Sequence, residues 1–276
     1  MSIEDIDWHK EWREHQCRRR AADNKDYWNK RAHSFYRNAG TSPYASEFMR
    51  LAAVQPGETI LDMGCGCGTL ALPYARAGHE VFACDFSQVM LELLENAAKE
   101  EGLDQLIHTK LLSWDDDWDV ADVPVADVAL ASRSMAADDL QDAIEKISSR
   151  ARRRVCCTLG TNASPRIDPV LMRAIGRPEP GAPEFVYAMN LLWSMGWLPE
   201  LNLIDSARQD LFERPEDAVA KHAGILECTP EELTALQAYV DEHLVLVDTP
   251  EGKRWRFDHE RMTHWAFISW DIARAR

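Results

Sequence analysis

Short apolar runs and helical stripes alternate along much of this chain. Ile60 and Leu61 form a brief apolar run that stops at Asp62, as a buried parallel strand does. Residues 70–77 follow as a helix, with Gly78 placed to end it. Residues 80–84 read as a second strand, finishing at Asp85. Ser87 is a good N-cap for a helix that carries Met90, Leu91, Leu94, Ala97 and Ala98 on its inner side and ends at Gly102. Residues 106–112, 127–131 and 155–159 give strands three to five, and a helix capped by Asp138 runs to Ser149 before the fifth. Sequential βα units of this kind predict an α/β fold with a doubly wound, mostly parallel sheet, whose ligands sit at the carboxyl ends of the strands.

The flanks carry different patterns. Residues 3–22 are polar and helical, with Trp8 and Trp12 one turn apart on one face. Asp23 or Asn24 can cap a second helix, along which Tyr27, Trp28, Arg31, Ala32, Phe35 and Tyr36 form a stripe. Ser42 and Pro43 open a third, through residue 53. Beyond the fifth strand, residues 161–183 hold five prolines and read as a long irregular connection. A helix over 185–195 and a sixth strand over 201–206 follow. The acidic stretch 213–243, with Pro215 and Pro230 near helix starts, reads as a two-helix insertion before a seventh strand over 263–270. The expected organisation is an N-terminal helical lid (1–53), a core (54–212), a helical insertion (213–245) and a segment returning the final strand to the core (246–276).

Between the first two strands, Gly64, Gly66 and Gly68 put three residues without a Cβ into five positions. Such a turn tolerates positive φ and lets a ligand approach the main chain. Asp85, at the tip of the next strand, can accept hydrogen bonds from both hydroxyls of a ribose, so the unit reads as a nucleoside site. Spacing alone leaves a dinucleotide open. Counting from Gly64 puts Thr69 at the third glycine position, whereas counting from Gly66 puts Ala71 there, which is permitted. Asp62 discriminates better: a carboxylate repels a diphosphate and attracts the ammonium of an amino acid.

The run Leu61-Asp62-Met63-Gly64-Cys65-Gly66-Cys67-Gly68 resembles the first motif of class I S-adenosylmethionine-dependent methyltransferases, and Asp85-Phe86-Ser87 with Met90-Leu91 resembles their second. The resemblance extends from about Trp28 to Leu159. It implies a Rossmann-like, seven-stranded sheet, S-adenosylmethionine as cofactor, and Asp62, Gly64, Cys65, Gly66, Gly68, Asp85, Phe86 and Met90 around that cofactor. Ser113, Trp114 and Asp115 occupy the place of the family's adenine loop. Many relatives carry an aspartate where Ser113 stands, so Asp115 is the alternative acceptor for the adenine amino group, with Trp114 near the base. Ser132 lies at the tip of strand four, beside the methionine portion of the cofactor, and Ser134 alternates with it if the strand continues. Trp28 to Ala32 resembles the lid segment of small-molecule methyltransferases.

The resemblance leaves the catalytic residues open. Methyl transfer from a sulfonium has an activated leaving group, so an enzyme can work largely by placing the nucleophile and excluding water. His33 and Arg133 are the candidates for catalysis. Arg133, Trp28 and Tyr187 are candidates for binding the acceptor, Arg133 through a carboxylate or phosphate. The Asn-Pro-Pro-Tyr type of tetrapeptide does not follow strand four, which points away from base or glutamine methylation. No pair of histidines at ligand spacing suggests a metal. An NAD-dependent oxidoreductase and a non-catalytic S-adenosylmethionine-binding protein are the other readings.

Composition narrows the partners. A net charge of -15 argues against a nucleic-acid backbone as partner and favours a small-molecule acceptor. The basic run from Arg150 to Arg154 reads as the capped end of a helix. Seven cysteines give no disulfide framework, and no second pair accompanies Cys65 and Cys67 at zinc spacing. With neither a membrane-length apolar run nor the apolar core of a signal peptide, the expectation is a cytoplasmic monomer or homodimer without membrane contact.

Overall fold

A computed structural model of the chain describes residues 5–18, 28–29, 32, 43–135, 137–161, 168–178 and 183–274. Helices α1 (Trp8–Arg18) and α2 (Pro43–Ala52) lead into β1 (Ile60–Met63), α3 (Ala71–Arg76), β2 (Val81–Asp85), α4 (Gln88–Glu100) and β3 (Ile107–Leu111). Next come β4 (Ala126–Ser132), α5 (Leu140–Ser149), β5 (Ala151–Gly160), α6 (Pro169–Ala174) and α7 (Glu184–Ser194). The remainder is β6 (Glu200–Arg208), α8 (Pro215–Leu226), α9 (Pro230–His243), the strands β7 (Leu244–Thr249) and β8 (Gly252–Phe257), and β9 (Arg261–Asp271). Seven strands form one sheet in the order β3-β2-β1-β4-β5-β9-β6. The pairings of β1 with β2 and β4, of β2 with β3 and of β4 with β5 are parallel. The expected Rossmann-like architecture is therefore present, with the order turning around β1 and β4. Ligands bind at such a reversal because the connections leave in opposite directions and open a crevice.

The chain forms two compact units: residues 1–159, 184–204 and 266–276 make the first, and 160–183 with 205–265 the second. In the first, the central parallel strands β1, β2 and β4 are buried on both faces, and Ile60, Leu61, Val128, Ala129 and Val155 are sealed from solvent. Trp12 is fully buried, and its indole N–H donates to the Ala137 carbonyl at 2.9 Å. Trp270, also buried, donates to Ser148 Oγ at 3.0 Å. Each large apolar body thus brings a satisfied polar tip into the core.

Three sequence expectations change here. The basic run belongs to a strand, not to a helix end. Arg152, Arg153 and Arg154 lie on β5 and pair with Asp127, Glu58 and Asp271, while Arg150 follows α5 and pairs with Asp119. The arginines compensate acidic neighbours on the sheet. Second, Asp139 rather than Asp138 caps α5, accepting from the Asp142 N–H at 3.0 Å. Third, the connection over 161–183 contains α6, whose first residue is Pro169 and whose N-cap is Asp168.

The second unit has its own core, built from Leu171, Met172, Phe212, Val219, Leu236, Val240 and Phe257 among others. The expected helix pair is α8 and α9. Arg177 fastens them together, with Nε and Nη2 each 2.6 Å from the Glu232 carboxylate and Nη1 2.7 Å from the Leu226 carbonyl. Thr229 and Glu232 form a reciprocal cap at the start of α9. The sequence reading omitted the antiparallel pair β7–β8. Its strands are short and largely exposed, so their polarity does not alternate as that of a half-buried hairpin does.

His222 on α8 is 3% exposed, and its Nε2 has no hydrogen-bond partner among the described residues. Burial, then the Lys221 charge, pushes its pKa down to about 4; Asp210 and Asp168 oppose this and Arg261 adds to it. The imidazole stays neutral in the folded unit, while the unfolded chain takes up a proton below about pH 6.5. Stability is therefore present above that pH and lost progressively as pH falls towards about 4. Going from about pH 7 to about pH 5 should cost about 2 kcal/mol through this group. Urea denaturation read at the second unit should show that loss in the parent and not in His222→Phe.

Candidate functional site

The site begins where β1 ends. Asp62 sits between β2 and β4, in register with Ala83 and Leu130, and is 1% exposed. Neither of its carboxylate oxygens has a hydrogen-bond partner among the described residues. Burial, followed by the Asp85 charge, raises its pKa to about 7, against a lowering pull from Arg133. A buried carboxylate without donors is unfavourable unless something cationic meets it.

The chain then turns through the glycines. The N–H groups of Gly64 and Cys65 both donate to the Cys84 carbonyl, at 2.7 and 3.0 Å, so the loop starts locked to β2. All three glycines have positive φ, but for different ends. A Cβ on Gly64 would lie 2.2 Å from Ser134 Cβ, and one on Gly68 would lie 2.5 Å from Leu94 Cδ1. Among the described residues, a Cβ on Gly66 would meet no atom within 4 Å. Gly64 and Gly68 are thus small because the protein packs against them, and Gly66 lies against open space.

Asp85 holds this loop to the next helix. Its Oδ2 accepts from Gly66 N–H and its Oδ1 from Ser87 N–H, both at 2.8 Å. Burial raises its pKa, and the N–H donors of Ser87, Gly66 and Phe86 oppose the rise. Each oxygen retains a second lone pair for a ligand hydroxyl. Ser87 caps α4 by accepting from Met90 N–H, and its hydroxyl donates to Asn29 Oδ1 at 2.6 Å. Trp28 and Ala32 pack with Cys67 and Met90. Trp28, Asn29 and Ala32 therefore touch both motifs, although His33 lies outside the described residues.

The other wall is the tip of β4. The strand stops at Ser132 because Arg133 takes the left-handed conformation, with φ of 58°. Ser134 consequently turns under the glycine loop, where its Oγ donates to the Met63 carbonyl at 2.6 Å. The Arg133 N–H donates to Thr158 Oγ1 at 2.9 Å, and its guanidinium lies 4.3 Å above the Tyr44 ring. The buried Tyr44 hydroxyl is shared between Ser132 Oγ at 2.8 Å and Thr158 Oγ1 at 2.7 Å. Sequence reasoning passed over Tyr44 and Thr158. Both are far from Ser132 along the chain, and their local patterns are those of an ordinary helix and an ordinary strand.

The remaining expected residues separate. Trp114 hangs on Ser134 through its indole N–H, 2.8 Å from the carbonyl, and stacks on Trp118. Ser113 Oγ accepts from the N–H of the exposed Asp115. Phe86 is half-buried beside Asp85, and Met90 is buried on α4. Tyr187 packs on Trp12 and His15. Burial pushes the thiols of Cys67 and Cys84 up to about 11 and about 12, and raises that of Cys65 well above its ordinary value. They are protonated fillers rather than nucleophiles.

Residues 60–154 match the family model described as "Methyltransferase domain". An uncharacterized protein of Haemophilus influenzae is 36% identical over 256 residues, covering 90% of this chain and 89% of that one. The YcgJ protein of Bacillus subtilis superposes with a TM-score of 0.53 at 13% identity, over 83% of this chain and 97% of that one. Magnesium protoporphyrin IX methyltransferase from Synechocystis, solved with bound SAH, gives 0.50 at 15% identity, over 88% and 96%. Among the described residues no helix is long and apolar enough to cross a membrane, and no cluster of His, Cys, Asp and Glu is arranged to hold a metal.

The two glycine environments predict losses of different size. Gly66→Ala should cost only about 1–2 kcal/mol of stability, the penalty of a left-handed alanine. Gly64→Ala should cost more, since its Cβ drives into Ser134 as well. Chemical denaturation of both variants checks the order, and equal losses would contradict this packing.

Proposed function

The chain belongs to the class I S-adenosylmethionine-dependent methyltransferases, and we propose that it transfers the methyl group of S-adenosylmethionine to a small-molecule acceptor. The observation that carries this reading is the pairing of a donorless buried carboxylate, Asp62, with an open glycine, Gly66, across a loop held by Asp85. The site fits an adenosyl amino acid. Asp62 would take its ammonium, Asp85 its ribose hydroxyls, and Gly66 would let it lie against the main chain. A diphosphate fits poorly, because the carboxylate at the end of β1 would repel it. Phe86, Met90, Ser132 and the 113–115 loop remain our assignments for the rest of the cofactor surface.

When bound, S-adenosylmethionine supplies a methyl group on a cationic sulfur that leaves as a neutral thioether. The protein's task is then to align the acceptor and keep out water, and no side chain need protonate the leaving group. Contacts of Trp28, Asn29 and Ala32 with the motif residues support a lid at 28–32. A small acceptor is supported by the net charge of -15 and by the ion pairs made by Arg150, Arg152, Arg153 and Arg154, which leave that run no basic face for a phosphate backbone.

Calorimetry with S-adenosylhomocysteine tests the reading: the parent protein should bind it, and failure to bind overturns the assignment. Asp85→Ala should weaken binding by about 30- to 1,000-fold, as the loss of charge-assisted bonds worth about 2–4 kcal/mol implies. Because Asp85 also braces the loop, a 2′-deoxy analogue separates the two roles. It should lose affinity in the parent and little more in the variant.

A second prediction concerns pH. Asp62 must be ionised to receive an ammonium, and its pKa in the free protein is about 7. Affinity should be level above about pH 8 and fall about tenfold per pH unit below about pH 7. Asp62→Asn should bind more weakly with a flatter profile; a parent profile already flat from about pH 5 to about pH 8 would contradict the contact.

A further inference from the structure

The β7–β8 hairpin of the second unit has two edges of opposite character. We propose that β7 is a docking edge whose occupant is an extended acidic segment of a partner protein, added as a third strand. The inference concerns the second unit alone and does not depend on the cofactor reading.

The backbone defines the edge. β7 and β8 pair from Leu244 with Phe257 to Thr249 with Gly252. The Asp258 N–H donates to the His243 carbonyl at 2.9 Å, which carries the same register one pair further. Hydrogen-bonded pairs alternate along an antiparallel ladder, so the N–H and C=O groups of Leu244, Leu246 and Asp248 point away from β8. On the far side of β8 the outward groups of Trp255 are occupied, since it exchanges two bonds of 2.8 Å with Phe212. Among the described residues no strand does the same for β7. A two-stranded ribbon is marginal alone, and a third strand stabilises it.

The side chains divide in the same way. Charged residues guard native sheet edges against further pairing, and β8 carries Lys253, Arg254 and Arg256. β7 carries no charge from Leu244 to Val247. Val245 is 37% exposed and Leu246 46%. Successive residues point to opposite faces, so neither face of the strand is closed there.

Charge selects the occupant. Arg256 stands opposite Val245 and Arg254 opposite Val247, so both arginines share a face with these valines. Among the described residues neither arginine pairs with an acid, whereas Arg150, Arg152, Arg153 and Arg154 each do. In a chain of net charge -15, two arginines left without an acid suit acids supplied from outside. A third strand would lie about 10 Å from β8, a span that an arginine and a glutamate close from either side of a short valine. A second copy of this chain would set β7 against β7 and leave both arginines unanswered. Two cations are too few for a nucleic-acid backbone, whereas open main-chain groups beside apolar side chains suit a peptide.

Fluorescence anisotropy on the full chain should use a labelled peptide of about eight residues that alternates glutamate with valine. Binding should saturate, and the same peptide with lysine for glutamate should bind at least about tenfold more weakly. Methylating the peptide's backbone nitrogens should also weaken it about tenfold or more, because strand addition uses those N–H groups. Combining Arg254→Glu with Arg256→Glu should reverse the preference, and binding of the lysine peptide then shows that the variant is folded. No binding by the parent, equal binding of the two peptides, or indifference to methylation each overturns the proposal, and none of these needs the variant. A single-stranded DNA of equal charge that binds as tightly as the glutamate peptide overturns it in favour of nucleic acid. A parent dimer that Leu246→Lys dissociates, seen by sedimentation, overturns it in favour of a second copy.

Discussion

The carboxylate of Asp85 is the joint on which the first unit's ligand face depends. Two backbone N–H groups from different elements converge on it, one from the glycine loop and one from the start of α4. Hydrogen bonds to a charged acceptor are among the stronger ones, and these are shielded from water. They fix the distance between Gly66 and the helix that carries Met90. Ser87 extends the connection by bonding Asn29. The loop, the helix and Asn29 therefore share one anchor.

Around that anchor, burial and charge work against each other. Desolvation raises the pKa of both Asp62 and Asp85, but only Asp85 has donors to offset it. The unequal treatment of two neighbouring acids distinguishes their roles. Asp85 is braced by backbone donors, whereas Asp62 has no donor among the described residues. The opposite wall, from Tyr44 through Thr158 to Arg133, has its polar groups matched from within.

The sheet and the glycine loop were legible in the sequence because both are written locally. Ile60-Leu61-Asp62 and the spacing of Gly64, Gly66 and Gly68 need no distant partner to be read. Other features depend on partners. The arginines at 152–154 look like a helix end until Asp127, Glu58 and Asp271 are seen beside them. The β7–β8 pair hides because Val245 and Leu246 stay exposed, which removes the alternation that marks a hairpin. Within the candidate site, Asp62 and Asp85 stood at strand tips and could be named. Tyr44 could not, since its meaning lies in Ser132 and Thr158, 88 and 114 residues away.

The strand order has a bearing on how the chain reaches this state. β9 comes after every other strand in sequence, yet it lies between β5 and β6. β6 therefore has no neighbour in the sheet until the chain has passed through α8, α9 and the β7–β8 pair. Contacts of such large sequence separation require loop closure before they yield any stabilisation, and they slow folding. The strands from β3 to β5 can assemble in a nascent chain while β6 still presents an unpaired edge. Completion of the sheet is thus deferred until β9 has been made.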